Sequence, residues 1–431
     1  MKNVLTKLLV NDMKPALGVT EPGAIAFATA KARSYVKGDI ESVLVSMNSG
    51  MYKNAFSCGI PNSREVGNVF ASALGVVAGD CNKGLESLAA VNSADNEAAK
   101  KLIDEGRVIV KMSGITSNIF IEATVKTLSD ECTVTIRDSH TNIVKIVLNG
   151  KTVYEVPIQG KSEYGQEEAK IIHSYTLAQL VEYVRTVPLE EIEFIDQAYK
   201  INIELFNEGL RNPRTTFSQR LFEENDRQII SKDIQKTAQL LCNAAIEARV
   251  IGLDKPAMSI TGSGAHGIIA TMPLYAEYKV RGLSHEMLLR ATALSYLVCM
   301  YIKEYSGRLS AFCGCAIAAG TGMACALVFM RNGSIDQMSH TINNMASSIT
   351  GMICDGGNQG CTMKGIVAVD AAFRSVQMAM CGVFINNAHG INASTPEQTM
   401  KHMGMIASPG MIGTEKTIVE ILEDKLREKK E

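Results

Sequence analysis

Four cysteines in the last third of the chain have the types and spacing for metal chemistry. Cys313-Gly-Cys315 forms one group, and Cys354 and Cys361, seven residues apart, form the other. Thiolates bind soft metals, and three of them can hold an iron–sulfur cluster while one iron stays open to substrate. The runs that carry them, Arg308-Leu-Ser-Ala-Phe-Cys-Gly-Cys and Gly351-Met-Ile-Cys-Asp-Gly-Gly-Asn-Gln-Gly-Cys, form glycine-rich turns. Glycine lets backbone approach a bulky inorganic ligand and aim N–H groups at its sulfurs. Two plainer readings compete. Free cysteine is among the most buried residue types, and Cys58, Cys81, Cys132, Cys242, Cys299, Cys325 and Cys381 suit a packed core. Structural zinc takes four thiolates in a closed tetrahedron, but its modules usually have two short cysteine pairs in small domains. Ligands that converge from two distant turns between apolar helices favour a cluster over zinc. Spacing alone leaves core packing open.

Three other groups could supply acids, bases or anion-binding atoms. Gly262-Ser-Gly264-Ala-His266-Gly267 formally matches a dinucleotide fingerprint, but the short apolar run ended by Pro273 is the wrong context. It reads instead as a tight loop that brings His266 and backbone N–H groups to a site. A lone histidine is more often a satisfied structural one. Thr20-Glu21-Pro22 could be a simple helix start, and Asn48-Ser49-Gly50 with Lys53 and Asn54 an ordinary strand-to-helix turn. Both lie where the chain changes direction, which is where sites tend to form. Asp355, directly after Cys354, could orient an amide or be a turn residue.

The elements that must position these residues follow from length and periodicity. A chain of 431 residues can bury a large core and suggests two or three domains. A net charge of −2, with mixed signs along the chain, lacks the footprint of a nucleic-acid binder. Eleven cysteines without an apolar leader point to reduced thiols in the cytoplasm. Ala311 to Met330 carries no charge and is long enough to span a membrane. Lys303 and Arg308 lie just before it and no other segment repeats the pattern, so a buried central helix is the better reading. Residues 3–37 read as helical with a break near Lys14-Pro15, and Pro22 suits a first turn capped by Thr20. Residues 42–48 read as a strand and 63–106 as helix. Strands are expected at 107–113, 117–127, 131–138, 142–148 and 152–156, with Asn149-Gly150 as a hairpin signal. From about 170 onward, helical periodicity dominates. The expected fold is α+β. A small, mainly antiparallel sheet domain with helices spans 40–165, a large all-α domain holding the cluster site spans 166–431, and the helices of 1–39 pack on the latter.

In order along the chain stand Lys14-Pro-Ala-Leu-Gly-Val-Thr-Glu-Pro, Met51-Tyr-Lys-Asn with Gly59-Ile-Pro, Gly262-Ser-Gly-Ala-His-Gly, Phe312-Cys-Gly-Cys-Ala-Ile-Ala-Ala-Gly and Met352-Ile-Cys-Asp-Gly-Gly. Together they resemble the L-cysteine desulfidase family, whose C-terminal part is similar to the α chain of bacterial iron–sulfur L-serine dehydratase. The resemblance implies a lyase that eliminates the β-substituent of a small L-amino acid, converting L-cysteine to pyruvate, ammonia and sulfide without pyridoxal phosphate. It implies a [4Fe–4S] cluster on Cys313, Cys354 and Cys361. Cys313 is favoured over Cys315 because the serine dehydratases carry Cys-Gly at the matching place. It further implies catalytic roles for Glu21 and His266, substrate contacts from Thr20, Asn48, Ser49, Lys53 and Asn54, and a homodimer, with no nucleic-acid or membrane partner. One departure matters: where the family usually has Cys in Leu-Gly-Cys-Thr-Glu-Pro, this chain has Val19. That leaves serine dehydration, or a non-catalytic ligand-binding or cluster protein, as alternatives.

Overall fold

The computed structural model describes residues 3–156, 171–307 and 309–428. The domain boundary expected near 165 and Arg308 lie outside them. The first half begins with helix α1 (Val4–Asp12), strand β1 (Lys14–Leu17) and helix α2 (Thr20–Arg33). The break in the expected helix is thus a strand, because Pro15 cannot continue a helix and its presence biases Lys14 to extended backbone. Strand β2 (Ile40–Asn48) leads to helices α3 (Ser49–Ala55), α4 (Asn68–Ala78) and α5 (Ser93–Asp104). Five strands follow: β3 (Val108–Gly114), β4 (Phe120–Thr127), β5 (Glu131–Arg137), β6 (Ile143–Leu148) and β7 (Lys151–Glu155).

These strands form one sheet in the order β3-β2-β4-β5-β6-β7. The pairs from β2–β4 to β6–β7 are antiparallel, as alternating sequence and short turns require. At one edge β2 and β3 run parallel, since three helices intervene and carry the chain back to the same end. The Asn149-Gly150 turn has φ of 49° and 77°, the left-handed pair that a two-residue hairpin demands. One face of the sheet is apolar: Ile121, Ala123 and Val125 of β4 are fully buried, as are Val134 and Ile136 of β5. Helix α2 is buried almost all round, and its Ala24–Ala28 stretch shares a core with that face. Of residues 1–39, Leu5 and Leu9 of α1, with Met13 and Val19, join the helical core, whereas α2 shares its core with the sheet.

The second half is helical: α6 (Leu177–Thr186), α7 (Asp196–Arg211), α8 (Phe217–Glu224), α9 (Ile234–Val250), then a short strand β8 (Pro256–Ser259), α10 (Gly264–Ile269), α11 (Met272–Arg281), α12 (His285–Ser306), α13 (Gly320–Met330), α14 (Ile335–Ile349), α15 (Gly360–Met380), α16 (Pro396–Met405) and α17 (Ile412–Glu428). Every residue of α13 is buried, and a π-helical turn, Cys315–Ala319, precedes it. The uncharged 311–330 stretch is therefore the expected core element, although its first residues form a turn. Among the described residues, no helix is long and apolar enough to cross a membrane. Strand β8 pairs antiparallel with β1, Lys14 opposite Ser259 and Leu17 opposite Pro256. The Gly262–Gly267 run is not all loop, as expected. Its second half is helix, and His266 stands inside that helix. Strand and helix here do not make a dinucleotide fold, because β8 belongs to a two-stranded antiparallel sheet.

Candidate functional site

The two cysteine turns are tied together by backbone. Phe312 and Ile353 form an antiparallel bridge, Cys313 N–H donates to Met352 O at 3.0 Å, and Cys354 N–H donates to Ala311 O at 2.6 Å. Cys361 follows at the first turn of α15. Gly356 makes the intervening turn possible. Its φ is +114°, and a β-carbon there would sit 2.5 Å from Lys53 O. The thiols share one electrostatic environment. Cys315 donates its S–H to Cys313, which outweighs burial and draws the Cys313 thiol down to about 7. The same bond, with burial, holds Cys315 well above its ordinary value. Burial pushes Cys361 up to about 11, and the Cys354 charge adds to it. Burial also raises Cys354, against the pull of Lys53. Lys364, one turn beyond Cys361, ion-pairs with Asp355. That pair and the nearby thiols outweigh burial and raise the Lys364 ammonium above its ordinary value. Asp355 is thus the anchor of a cation beside the thiols.

Among the described residues, no three histidine, cysteine, aspartate or glutamate side chains are gathered closely enough to hold a single metal ion. The donor set itself suits a multi-iron cluster, whose bulk keeps its cysteine ligands further apart than one ion does. Cys313 is buried and Cys354 and Cys361 are half-buried; their charges act on one another and on the Lys364 ammonium.

Neighbours of the turn come from both halves of the molecule. A β-carbon on Gly314, between Cys313 and Cys315, would lie 2.7 Å from His266 Nε2, so the imidazole packs on that turn. His266 Nδ1 is bonded to Thr261 Oγ1, and the Thr261 hydroxyl donates to Ile260 O at 2.7 Å. With its proton so engaged, Thr261 accepts from Nδ1–H, which leaves the Nε2 lone pair toward Gly314. Burial, then the charges of Lys303 and Arg249, hold His266 well below its ordinary pKa, so it stands neutral. Cys354 Sγ donates to Asn54 Oδ1 at 3.9 Å, and Asn54 Nδ2 donates to Glu21 Oε1 at 3.0 Å. Thr20 does not cap α2, as expected from sequence; its hydroxyl donates instead to Glu21 Oε2 at 3.0 Å, and Val19 occupies the cap position. His140 Nε2 lies 3.6 Å from Glu21 Oε1. Burial would raise Glu21, but the His140 contact, the Asn54 hydrogen bond and the Arg249 charge overcome it and hold the carboxyl at about 2. A group so firmly ionised is an electrostatic anchor rather than a proton carrier near neutral pH. Val19 also stands at the site: a β-carbon on Gly357 would meet its Cγ1 at 2.8 Å.

The remaining expected residues are differently engaged. Asn48 Nδ2 donates to Thr116 O at 2.9 Å and its Oδ1 accepts from Phe120 N–H at 3.0 Å. Ser49 Oγ accepts from Thr116 N–H at 3.3 Å. Both side chains fasten the β3–β4 loop. Lys53 is fully buried, donates to Ser310 O at 3.0 Å and pairs with Glu415 of α17 at 2.7 Å. The loop, Leu309–Ala311 and Ala407–Ile412 with Glu415 enclose a cavity of about 330 Å³ that ends two residues before Cys313. A second cavity, about 410 Å³, reaches Thr261 and Lys303. Sequence reasoning missed His140, Arg249, Lys364 and Glu415. Lys364, three residues after Cys361, was within reach of an i,i+3 argument; the other three sit in unremarkable contexts.

The two cysteine turns and His266 are thus packed together, with Asn54 and Val19 of the first half against them. Comparison with known proteins gives the family. A family model described as the serine dehydratase alpha chain matches residues 82–420, which takes in five sheet strands as well as the helical half. The chain is 41% identical over 425 residues to a UPF0597 protein of Clostridium botulinum, strain Langeland, covering 98% of each. It is 34% identical over 419 residues to a UPF0597 protein of Caldanaerobacter subterraneus, covering 97% of this chain and 98% of the relative. The chain belongs to the serine dehydratase alpha-chain-like UPF0597 family.

Proposed function

We propose that this chain is an iron–sulfur-dependent lyase that eliminates the β-substituent of a small L-amino acid, with L-cysteine as substrate and L-serine as the second reading. The observation that carries this is the neutral His266, whose Nε2 lone pair is aimed at the turn between Cys313 and Cys315. Cys313, Cys354 and Cys361 would hold a [4Fe–4S] cluster. When bound, such a group supplies Lewis acidity toward the departing sulfur or oxygen. His266 takes the α-proton on Nε2, while Thr261 fixes the ring through Nδ1. The C–H electron pair becomes the C=C bond and the β-substituent leaves with its own pair, as HS⁻ or as hydroxide that is protonated to water. The resulting aminoacrylate hydrolyses to pyruvate and ammonium. Glu21, Asn54 and His140 stay in place and set the field. Position 19 lies against the Cys354–Cys361 turn, so the family thiol absent there would have faced the same space; that favours keeping L-serine as a second substrate.

The test is anaerobic purification with iron and sulfide analysis, followed by pyruvate release from L-cysteine and L-serine. About four irons per chain are expected, as a four-iron cluster requires, together with turnover of at least one of the two. His266→Asn should retain iron and lose roughly 10²-fold or more in kcat. Absence of pyruvate from both substrates with iron-loaded protein sinks the proposal.

A further inference from the structure

Helix α9 ends with a buried cation, Arg249, whose Nε has no hydrogen-bond partner among the described residues. Arg249 is 4% exposed. Its side chain lies across the first residue of α10: a β-carbon on Gly264 would sit 2.7 Å from Arg249 Nε and 3.2 Å from its Cδ. Nε has no hydrogen-bond partner, and among the described residues no carboxylate lies within ion-pair distance of the guanidinium. A buried charge without an acceptor is strongly disfavoured in a purely structural role. Glu21 does not serve as its partner, because both its oxygens are committed, one to Thr20 and one to Asn54 beside His140. Packing on Gly264 nonetheless fixes the guanidinium in one place. Two residues further on stands His266, which reaches the Cys313–Cys315 turn.

We propose that Arg249 binds the α-carboxylate of the substrate, close to His266 and Glu21. The inference rests on the small amino-acid substrate proposed above and adds the group that recognises it. A guanidinium presents parallel N–H donors that match a carboxylate in a fork, and inside a protein such charge-assisted bonds are the strong ones. An α-amino acid is a zwitterion, so it needs a fixed cation and a fixed anion a few ångströms apart. Arg249 and the ionised Glu21 can serve as that pair, since the Arg249 charge acts on the Glu21 carboxyl. Carboxylate on Arg249 and ammonium toward Glu21 leave the α-hydrogen for His266 and the β-substituent for the cysteine turn. The assignment also moves carboxylate recognition away from Lys53, whose ammonium is already held by Glu415.

Calorimetric binding to the full chain, kept anaerobic, tests this with four probes: L-serine and L-cysteine, and their counterparts without a carboxylate, serinol and cysteamine. The wild type should bind the amino acids at least about tenfold more tightly than those counterparts, as loss of one charged hydrogen bond implies. Arg249→Met should erase that difference while leaving the affinity for cysteamine and the iron content unchanged, and Arg249→Lys should restore part of it. If Arg249→Met does not fold, Arg249→Gln takes its place. Equal wild-type affinity for L-serine and serinol overturns the proposal, and so does an amino-acid preference that survives in a folded Arg249 variant. Binding that depends on Arg249 without pyruvate formation would sink the lyase reading and leave the carboxylate site standing. Pyruvate formation that ignores Arg249 would do the reverse.

Discussion

Glu21 and His266 were both expected to be catalytic, and their surroundings differ. His266 is buried neutral with Nδ1 bonded to Thr261, the state of a base. Glu21 is fixed as an anion by Asn54, Thr20 and His140. The charge on Glu21 has a consequence for stability. Its carboxyl is held at about 2 in the fold against 4.5 ordinarily, so the folded state binds fewer protons than the unfolded chain in that interval. The stabilisation is complete above pH 4.5 and is lost as pH falls toward 2, amounting to roughly 3 kcal/mol. Glu21→Gln should therefore be less stable than wild type at neutral pH, and the two should converge in acid. Urea unfolding at a series of pH values measures this; parallel curves for the two proteins would show that Glu21 carries no such linkage.

At the scale of elements, the site is assembled by three connections: the Phe312–Ile353 bridge, the β1–β8 pair, and the β3–β4 loop fastened by Asn48 and Ser49. Replacing Asn48 with Ala removes the acceptor of Phe120 N–H and one of two donors to Thr116 C=O, which costs about 1 kcal/mol because both groups are partly open to water. Amide exchange at 115–120 should accelerate while exchange in α12 stays unchanged; equal protection in both proteins would mean that the loop is held by other contacts. How much of this was legible in the sequence follows from the range of each interaction. The cysteine turns could be read because thiols, glycines and the Cys-Gly-Cys spacing are local. The strands from β3 to β7 could be read because side-chain alternation and the Asn149-Gly150 turn are local too. Strand β1 could not, since its partner β8 lies more than two hundred residues away and both are only four residues long. Arg249 was invisible for a related reason. Glu247 and Arg249 near the end of α9 look like a solvated helix face, and only tertiary packing buries both. Asn48 and Ser49 were recognised as special, but what they hold is backbone.

The described residues form two apolar cores, which adjoin next to the cysteine turn. One contains the sheet face, α2, Met51 and Tyr52 of α3, and Leu309; the other contains the helical half, with Ala311, Cys313 and the inner face of α17. The chain passes from one to the other between Leu309 and Ala311, next to the cysteine turn. Lys53 and Glu415, 362 residues apart in sequence, form an ion pair across this junction, both almost fully buried. Hydrophobic contact alone does not fix how two cores are oriented, whereas a buried pair of opposite charges tolerates only one alignment. Removing one partner leaves the other charged and unpaired, so Lys53→Met or Glu415→Met should cost about 3–5 kcal/mol. Replacing both with Met should recover most of that loss, because the desolvation of two charges is removed together with their attraction. Chemical denaturation of the wild type, the two single variants and the double variant forms a complete cycle, and additive losses would show that the pair is not coupled. The same proteins also bear on recognition. With carboxylate binding assigned to Arg249, Glu415→Met should lower stability and leave KM for the amino acid within about threefold of wild type, a difference worth well under 1 kcal/mol. A tenfold fall in KM would instead mean that Glu415 competes with substrate for Lys53.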